Sequence, residues 1–138
     1  NDMAALREAV MEGVIDCIAT HHFPQDIDSK QKEFEYADEG MIGLESCFGV
    51  LGNALKDLNV EQKIQLLAVN PRRIFGLPVP EIKEGAPANI TLFDPEINCI
   101  FEEKDIRSKS KNSPFIKTEL KGRPLGIINK NHFYSCHS

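Results

Sequence analysis

Long apolar runs are absent. No stretch approaches the roughly 18 residues that a membrane-spanning helix requires, so no transmembrane helix is expected. The first residues, Asn1-Asp2-Met3-Ala4-Ala5-Leu6-Arg7-Glu8, lack a basic stretch followed by an apolar one and do not read as a signal peptide. Cysteine is sparse and scattered. Cys17, Cys47, Cys99 and Cys136 show no CxxC spacing, which argues against a cysteine zinc cluster and a disulfide framework, and fits reduced thiols in a cytoplasmic protein. Positive charge is also short: 16 Lys and Arg face 21 Asp and Glu, for a net charge of -5. Without a basic stripe to neutralise phosphates, a nucleic-acid partner is not expected. Internal repeats and low-complexity segments are missing too.

What remains is an ordinary globular balance, 41% hydrophobic and 27% charged. At 138 residues the chain reads by length as one domain, able to bury roughly 70% of its unfolded surface without covalent staples.

The order of elements is informative. Asp2 is a plausible N-cap, and Met3, Leu6, Val10 and Val14 recur at helical spacing up to a stop near Gly13. Ile15-Asp16-Cys17-Ile18-Ala19 is short and mostly apolar, as a strand covered on both faces is. Residues 20–41 form a long polar connection, a kind that is uncommon unless functional. Leu44, Phe48, Leu51, Leu55 and Leu58 predict one amphipathic helix, and Val60, Ile64, Leu67 and Ala68 the next. Asn70-Pro71 predicts a capped helical turn through Phe75, ended by Gly76 and Pro78. The composition changes at Leu77-Pro78-Val79-Pro80, the expected boundary between residues 1–77 and a small β module at 78–138. In that module strands are expected over 89–93 and 97–101, followed by a hairpin of 125–128 with 132–134 around Asn129-Lys130-Asn131. The stretch 103–123 between them reads as a charged connector with one apolar knob, Pro114-Phe115-Ile116.

Chemistry concentrates at the end of the first predicted strand, in Thr20-His21-His22-Phe23-Pro24-Gln25-Asp26. Neutral imidazole ligates zinc and serves as a base near neutral pH, but a zinc site needs about three or four convergent ligands. Two loop histidines with ordinary hydrogen bonds are the alternative reading. His132 and His137 lie far away and read as surface residues. Asp38-Glu39-Gly40-Met41-Ile42-Gly43 brings glycines to a helix start, where backbone N–H groups can hold a carboxylate. Glu45 reads as a favourable charge in the first turn.

Taken in order, the segments resemble the dihydroorotase family of cyclic amidohydrolases. Ile15-Asp16-Cys17-Ile18-Ala19-Thr20-His21-His22-Phe23-Pro24 is similar to that family's last barrel strand, I-D-x-I-A-T-D-H-A-P-H. Glu33-Phe34-Glu35, residues 40–45, Asn70-Pro71-Arg72-Arg73-Ile74-Phe75-Gly76-Leu77, residues 85–94 and Ser108-Lys109-Ser110-Lys111-Asn112-Ser113-Pro114-Phe115 match later motifs in the family's order. The resemblance implies an α/β fold: the last β/α units of a TIM-type (β/α)8 barrel over 1–77, then a small β-sandwich module over 78–138, incomplete as a barrel. It implies zinc-dependent hydrolysis of a cyclic amide, interconverting dihydroorotate and N-carbamoyl-aspartate in pyrimidine synthesis. It places His21 where the family has an Asp that ligates metal and moves the proton. Gln25 stands where the family has a substrate-contacting His, and Asp38, Glu39 and Gly40 where its backbone meets substrate. The family's HxH motif and remaining metal ligands belong to segments that precede this stretch.

Three readings follow from the resemblance. One is a dihydroorotase with a variant strand-end residue. The second is a dihydroorotase-like subunit that no longer catalyses and supports a partner such as aspartate transcarbamoylase. The third is a hydantoinase- or allantoinase-type enzyme. The implied partners of the chain are the remainder of the barrel and further copies of itself, because a strand without neighbours and a module without sandwich partners leave edges open. Sedimentation should therefore show self-association that grows with concentration; a monomer throughout a wide concentration range contradicts this.

Overall fold

The computed structural model describes residues 2–130 and 132–136. It is a mixed α/β chain with one three-stranded antiparallel sheet in the order β1-β2-β3. Helix α1 spans Asp2–Met11 and contributes no buried residue. It begins at Asp2 itself, and the left-handed Gly13 (φ 75°) ends it as expected.

The apolar run 15–19 forms no strand. A strand needs a neighbouring ladder, and the described chain offers this run none; its backbone turns to a helix instead. Residues 60–74 form one helical run: α4 (Val60–Ile64), a π turn (Gln65–Val69) and α5 (Asn70–Ile74). The Ile18 N–H donates to the Leu66 carbonyl in that π turn at 3.0 Å, and the Asn70 side-chain amide donates to the Asp16 carbonyl at 2.8 Å. A π turn displaces the regular ladder and leaves carbonyls open to such outside donors. Asn70 is therefore no cap, since the helix continues through it. The cap lies earlier, at Asn59, whose side chain exchanges hydrogen bonds with Gln62 in a capping box.

The long connection contains a short helix, α2 (Ile27–Lys30), capped by the Asp26 carboxylate on the Ser29 N–H at 2.7 Å. Helix α3 is Cys47–Ala54, later than the periodicity suggests, so Leu44 is exposed. Leu51, Leu55, Leu58 and Leu66 form one buried cluster, with Val10 and Ile18 against it.

Strand β1 (Asn89–Ile100) fuses the two expected strands, with the register broken between Asp94 and Asn98. There the Asp94 carboxylate accepts the Glu96 and Ile97 N–H groups at 2.9 and 3.2 Å, so the kink around Pro95 is satisfied locally. Strand β2 (Glu119–Asn129) extends the hairpin back into the supposed connector, and β3 (His132–Ser135) completes it. The connector is therefore structural: Ile106, Leu120 and Phe101 are buried with Ile42, and Phe115 and Ile116 of the knob pack on them. This cluster draws on both sides of residue 78.

Helix α3 meets β2 at backbone distance. A Cβ on Gly52 would lie 1.8 Å from the Lys121 carbonyl oxygen, and one on Gly49 2.8 Å from the Leu120 Cβ. Asn53, on the same face, donates to the Glu119 carbonyl at 2.7 Å and accepts the Lys121 N–H at 3.1 Å. Gly52→Ala should therefore cost at least about 2 kcal/mol by forcing the helix off the strand. Urea unfolding checks this; a loss under about 0.5 kcal/mol, typical of a surface site, contradicts the close approach.

Candidate functional site

The end of the 15–19 run and the segment before α3 lie side by side. His22 and Met41 form a parallel bridge, and the Phe23 N–H donates to the Met41 carbonyl at 2.9 Å. Glycine permits this approach: a Cβ on Gly43 would sit 2.8 Å from the Thr20 carbonyl oxygen, and one on Gly40 2.6 Å from the Phe23 carbonyl oxygen. Gly40 also has a φ of 113°, a conformation that favours glycine.

The two histidines differ. His22 is half-buried, and its Nδ1 accepts the Gly43 and Leu44 N–H groups at 3.1 and 3.3 Å. Two donors on Nδ1 select the tautomer protonated at Nε2. His21 is exposed, with a left-handed φ of 46° and its ring 6.5 Å from that of Phe23. His132 is exposed, as expected; His137 lies outside the described residues.

Gln25 donates its side-chain amide to the Glu39 carbonyl at 3.1 Å. Lys30, the last residue of α2, reaches the Asp38 and Gly40 carbonyls, the latter at 3.3 Å. Asn112 donates to the Gly40 carbonyl at 2.7 Å while its own carbonyl accepts the Ile42 N–H at 2.9 Å. Gln25, Lys30 and Asn112 also line an open cleft of about 800 Å³ that includes Lys109 and Ser113. The residues singled out from sequence, Gln25 with Asp38, Glu39 and Gly40, are therefore brought together, whereas His21 stands apart from them as a single donor. Lys30 and Asn112 escape a sequence reading because each acts through a carbonyl, which leaves no trace in residue type.

Glu45 does more than favour a helix end. Its Oε1 accepts the Ser108 N–H at 2.8 Å and the Ser108 hydroxyl at 2.5 Å, while its Oε2 is enclosed with no partner among the described residues. Burial alone would raise its pKa; the Ser108 hydroxyl and amide outweigh that and hold the carboxyl below its ordinary range.

A zinc centre needs several convergent donors, and among the described residues no group of three His, Cys, Asp or Glu side chains lies close enough to hold an ion. His21 alone does not fit a resident metal. The four cysteines are free and half-buried, and burial pushes the Cys47 thiol up. Among the described residues no helix is long and apolar enough to cross a membrane.

A model of the amidohydrolase family matches residues 1–128. The chain belongs to that family. It is 42% identical over 130 residues to a dihydroorotase of Chlorobaculum tepidum, covering 92% of this chain and 30% of that protein. A dihydroorotase of Caldicellulosiruptor saccharolyticus is 43% identical over 118 residues, covering 83% of this chain and 27% of that protein. These relatives make this a dihydroorotase-like amidohydrolase chain that spans 30% or less of the length of either. Among solved structures, an L-hydantoinase from Arthrobacter aurescens superposes with a TM-score of 0.84 at 22% identity, over 96% of this chain and 31% of that one. An inactive dihydroorotase-like domain of the Chaetomium thermophilum CAD-like multifunctional protein superposes with a TM-score of 0.64 at 22% identity, over 96% of this chain and 35% of that one. At such identities the likeness speaks for the fold.

A carboxylate held below its ordinary value near 4.5 stabilises the fold above that pH, and the contribution is lost as pH falls through the lower, folded value. Glu45→Gln should thus be less stable than the parent at about pH 7, and the gap should narrow as pH falls below the ordinary carboxylate value, read as melting temperature against pH. Parallel curves across that range would contradict the role given to the Glu45 charge.

Proposed function

We propose that this chain supplies the C-terminal portion of a dihydroorotase-like cyclic amidohydrolase, with residues 1–77 closing a β/α barrel and 78–138 joining a composite β-sandwich. The 42% identity to a dihydroorotase across 92% of the chain carries this reading. Its substrate class is the dihydroorotate and N-carbamoyl-aspartate pair of pyrimidine synthesis. The Asp38–Gly40 backbone then receives the substrate carboxylate, as N–H groups do at anion sites. Metal donors come from the remainder of the barrel, which is the first partner of this chain, because the donors present here do not converge.

A second reading, a non-catalytic subunit that supports a partner such as aspartate transcarbamoylase, is favoured by two observations. Position 21 carries an exposed imidazole in place of the family's carboxylate. The Gln25 amide, where the family has a substrate-contacting His, is engaged with the Glu39 carbonyl. Imidazole is a competent base near neutral pH, but it brings no negative charge to a cationic centre.

A fusion separates the readings. Residues 1–138 replace the matched region of the Chlorobaculum tepidum dihydroorotase, with and without His21→Asp and Gln25→His together, and dihydroorotate hydrolysis is assayed. The double variant should turn over at least about 100-fold faster than the unmodified fusion, the scale of a lost general base. Equal rates assign catalysis to His21 and remove the non-catalytic reading. Faster turnover of hydantoin than of dihydroorotate by either form overturns the substrate class.

A further inference from the structure

We infer that Lys30 is a positioning residue, which with Gln25 and Asn112 clamps the carbonyls of Asp38, Glu39 and Gly40 and leaves the Glu39 and Gly40 amides to receive a carboxylate. The inference rests on the carboxylate reading of this loop and names what holds the loop in place.

Three consecutive carbonyls are each taken by a side chain, and the side chains come from three places. Lys30 at the end of α2 takes the first and third, Gln25 before α2 takes the second, and Asn112 from the connector takes the third as well. The ends of the segment are tied too: the Asp38 N–H donates to the Ser29 carbonyl at 3.1 Å, and the Ile42 N–H to the Asn112 carbonyl at 2.9 Å. Between those ties, the Glu39 and Gly40 N–H groups have no protein acceptor among the described residues. Backbone donors are seldom left so beside a half-buried glycine. Consecutive free N–H groups at a residue of positive φ are an anion-binding arrangement.

Lys30 matters most because a single ammonium spans two carbonyls, and charged donors make the stronger bonds. Asp38 and Glu39 bring exposed negative charge of their own to the loop, so an incoming carboxylate also gains from the Lys30 cation beneath the segment. The rim of the cleft beyond it carries Lys109 and Lys111. The role assigned to Gln25 also changes. Its amide acts on the loop, and its effect on a ligand passes through the Glu39 peptide.

The test is made by NMR on this chain, first without ligand. Lys30→Met keeps the aliphatic stem and removes the donors; it should move the backbone carbonyl 13C resonances of Asp38 and Gly40, and Gln25→Leu that of Glu39. Unchanged carbonyl resonances in both variants overturn the clamp, and Gln25→Leu, which breaks only one exposed bond, serves if Lys30→Met does not fold. The second arm titrates succinate and N-carbamoyl-L-aspartate while following the Glu39 and Gly40 amides. Lys30→Met should bind N-carbamoyl-aspartate about fivefold or more weakly than the parent, and Lys30→Arg within about twofold of it. Equal binding by Lys30→Met, or parent amides that respond to neither acid, overturns the inference. A response to succinate with none to N-carbamoyl-aspartate leaves the clamp standing and overturns the proposed substrate.

Discussion

The arrangement depends on the close approach of α3 to β2. Gly49, Gly52 and Asn53 recur at one, four and five in the helix register, which places them on a single face. There the backbone of α3 comes close to β2, with Asn53 exchanging two hydrogen bonds with the strand, while Phe48 packs against Phe93 and Val50 against the cluster that contains Leu120. Such contact is directional and short-ranged, so it sets the helix position more sharply than an oily interface of similar size. On its opposite side α3 carries Leu51, and the chain just after it carries Leu55, into the cluster with Leu58 and Leu66. The helix is thus a wedge between a sheet on one side and a second helical run on the other.

From this wedge the site inherits its geometry. The chain entering α3 is residues 38–46, and the sheet returns the connector to the same place. Asn112 meets Gly40 and Ile42, and Ser108 meets Glu45. The knob at Phe115 and Ile116 packs on the buried cluster to which Ile42 belongs, so the loop is held by apolar packing as well as by hydrogen bonds. Displacing α3 from β2 moves both anchors together. This explains why a helix with small residues on its sheet-facing side can govern a loop that it does not contain.

The sequence made some of this readable and hid the rest for physical reasons. Helix α1 and the final hairpin follow from spacing and turn signals although α1 and β3 contribute no buried residue, whereas the leucine spacing from Leu51 to Leu58 does report burial. The 15–19 run shows the limit of that signal: apolar composition states that Ile18 is covered, and it lies against the leucine cluster, but composition cannot say whether a ladder partner exists. The supposed connector misled in the opposite way. Most of its charges are exposed, but Asp105 and Arg123 form a partly buried ion pair, Ile106 and Leu120 are buried, and residues from Glu119 to Arg123 are paired with β1. At the site, the grouping of Gln25 with Asp38–Gly40 came from motif order. The parts played by Lys30, Asn112 and Ser108 required coordinates, because contacts to distant backbone carry no local pattern.

Positions 21 and 25, singled out by the resemblance to dihydroorotases, take their meaning from their surroundings. A residue that reaches a ligand directly is constrained by the ligand, whereas a residue that braces backbone is constrained only by donor type and reach. Gln25 satisfies the second condition, since its amide supplies a neutral N–H donor to a carbonyl. His22 meets a comparable condition, accepting two N–H groups at the mouth of α3. His21 is different: it is exposed and left-handed, with its ring 6.5 Å from that of Phe23. A left-handed histidine costs backbone energy that only its surroundings offset. Here the offset comes from its neighbour, because His22 and Phe23 are fastened to residues 41–44 while the chain on the other side is fastened to the helical run through Ile18. The bend at position 21 is what remains when both flanks are fixed. Its geometry is therefore set by the fastened backbone on either side of it.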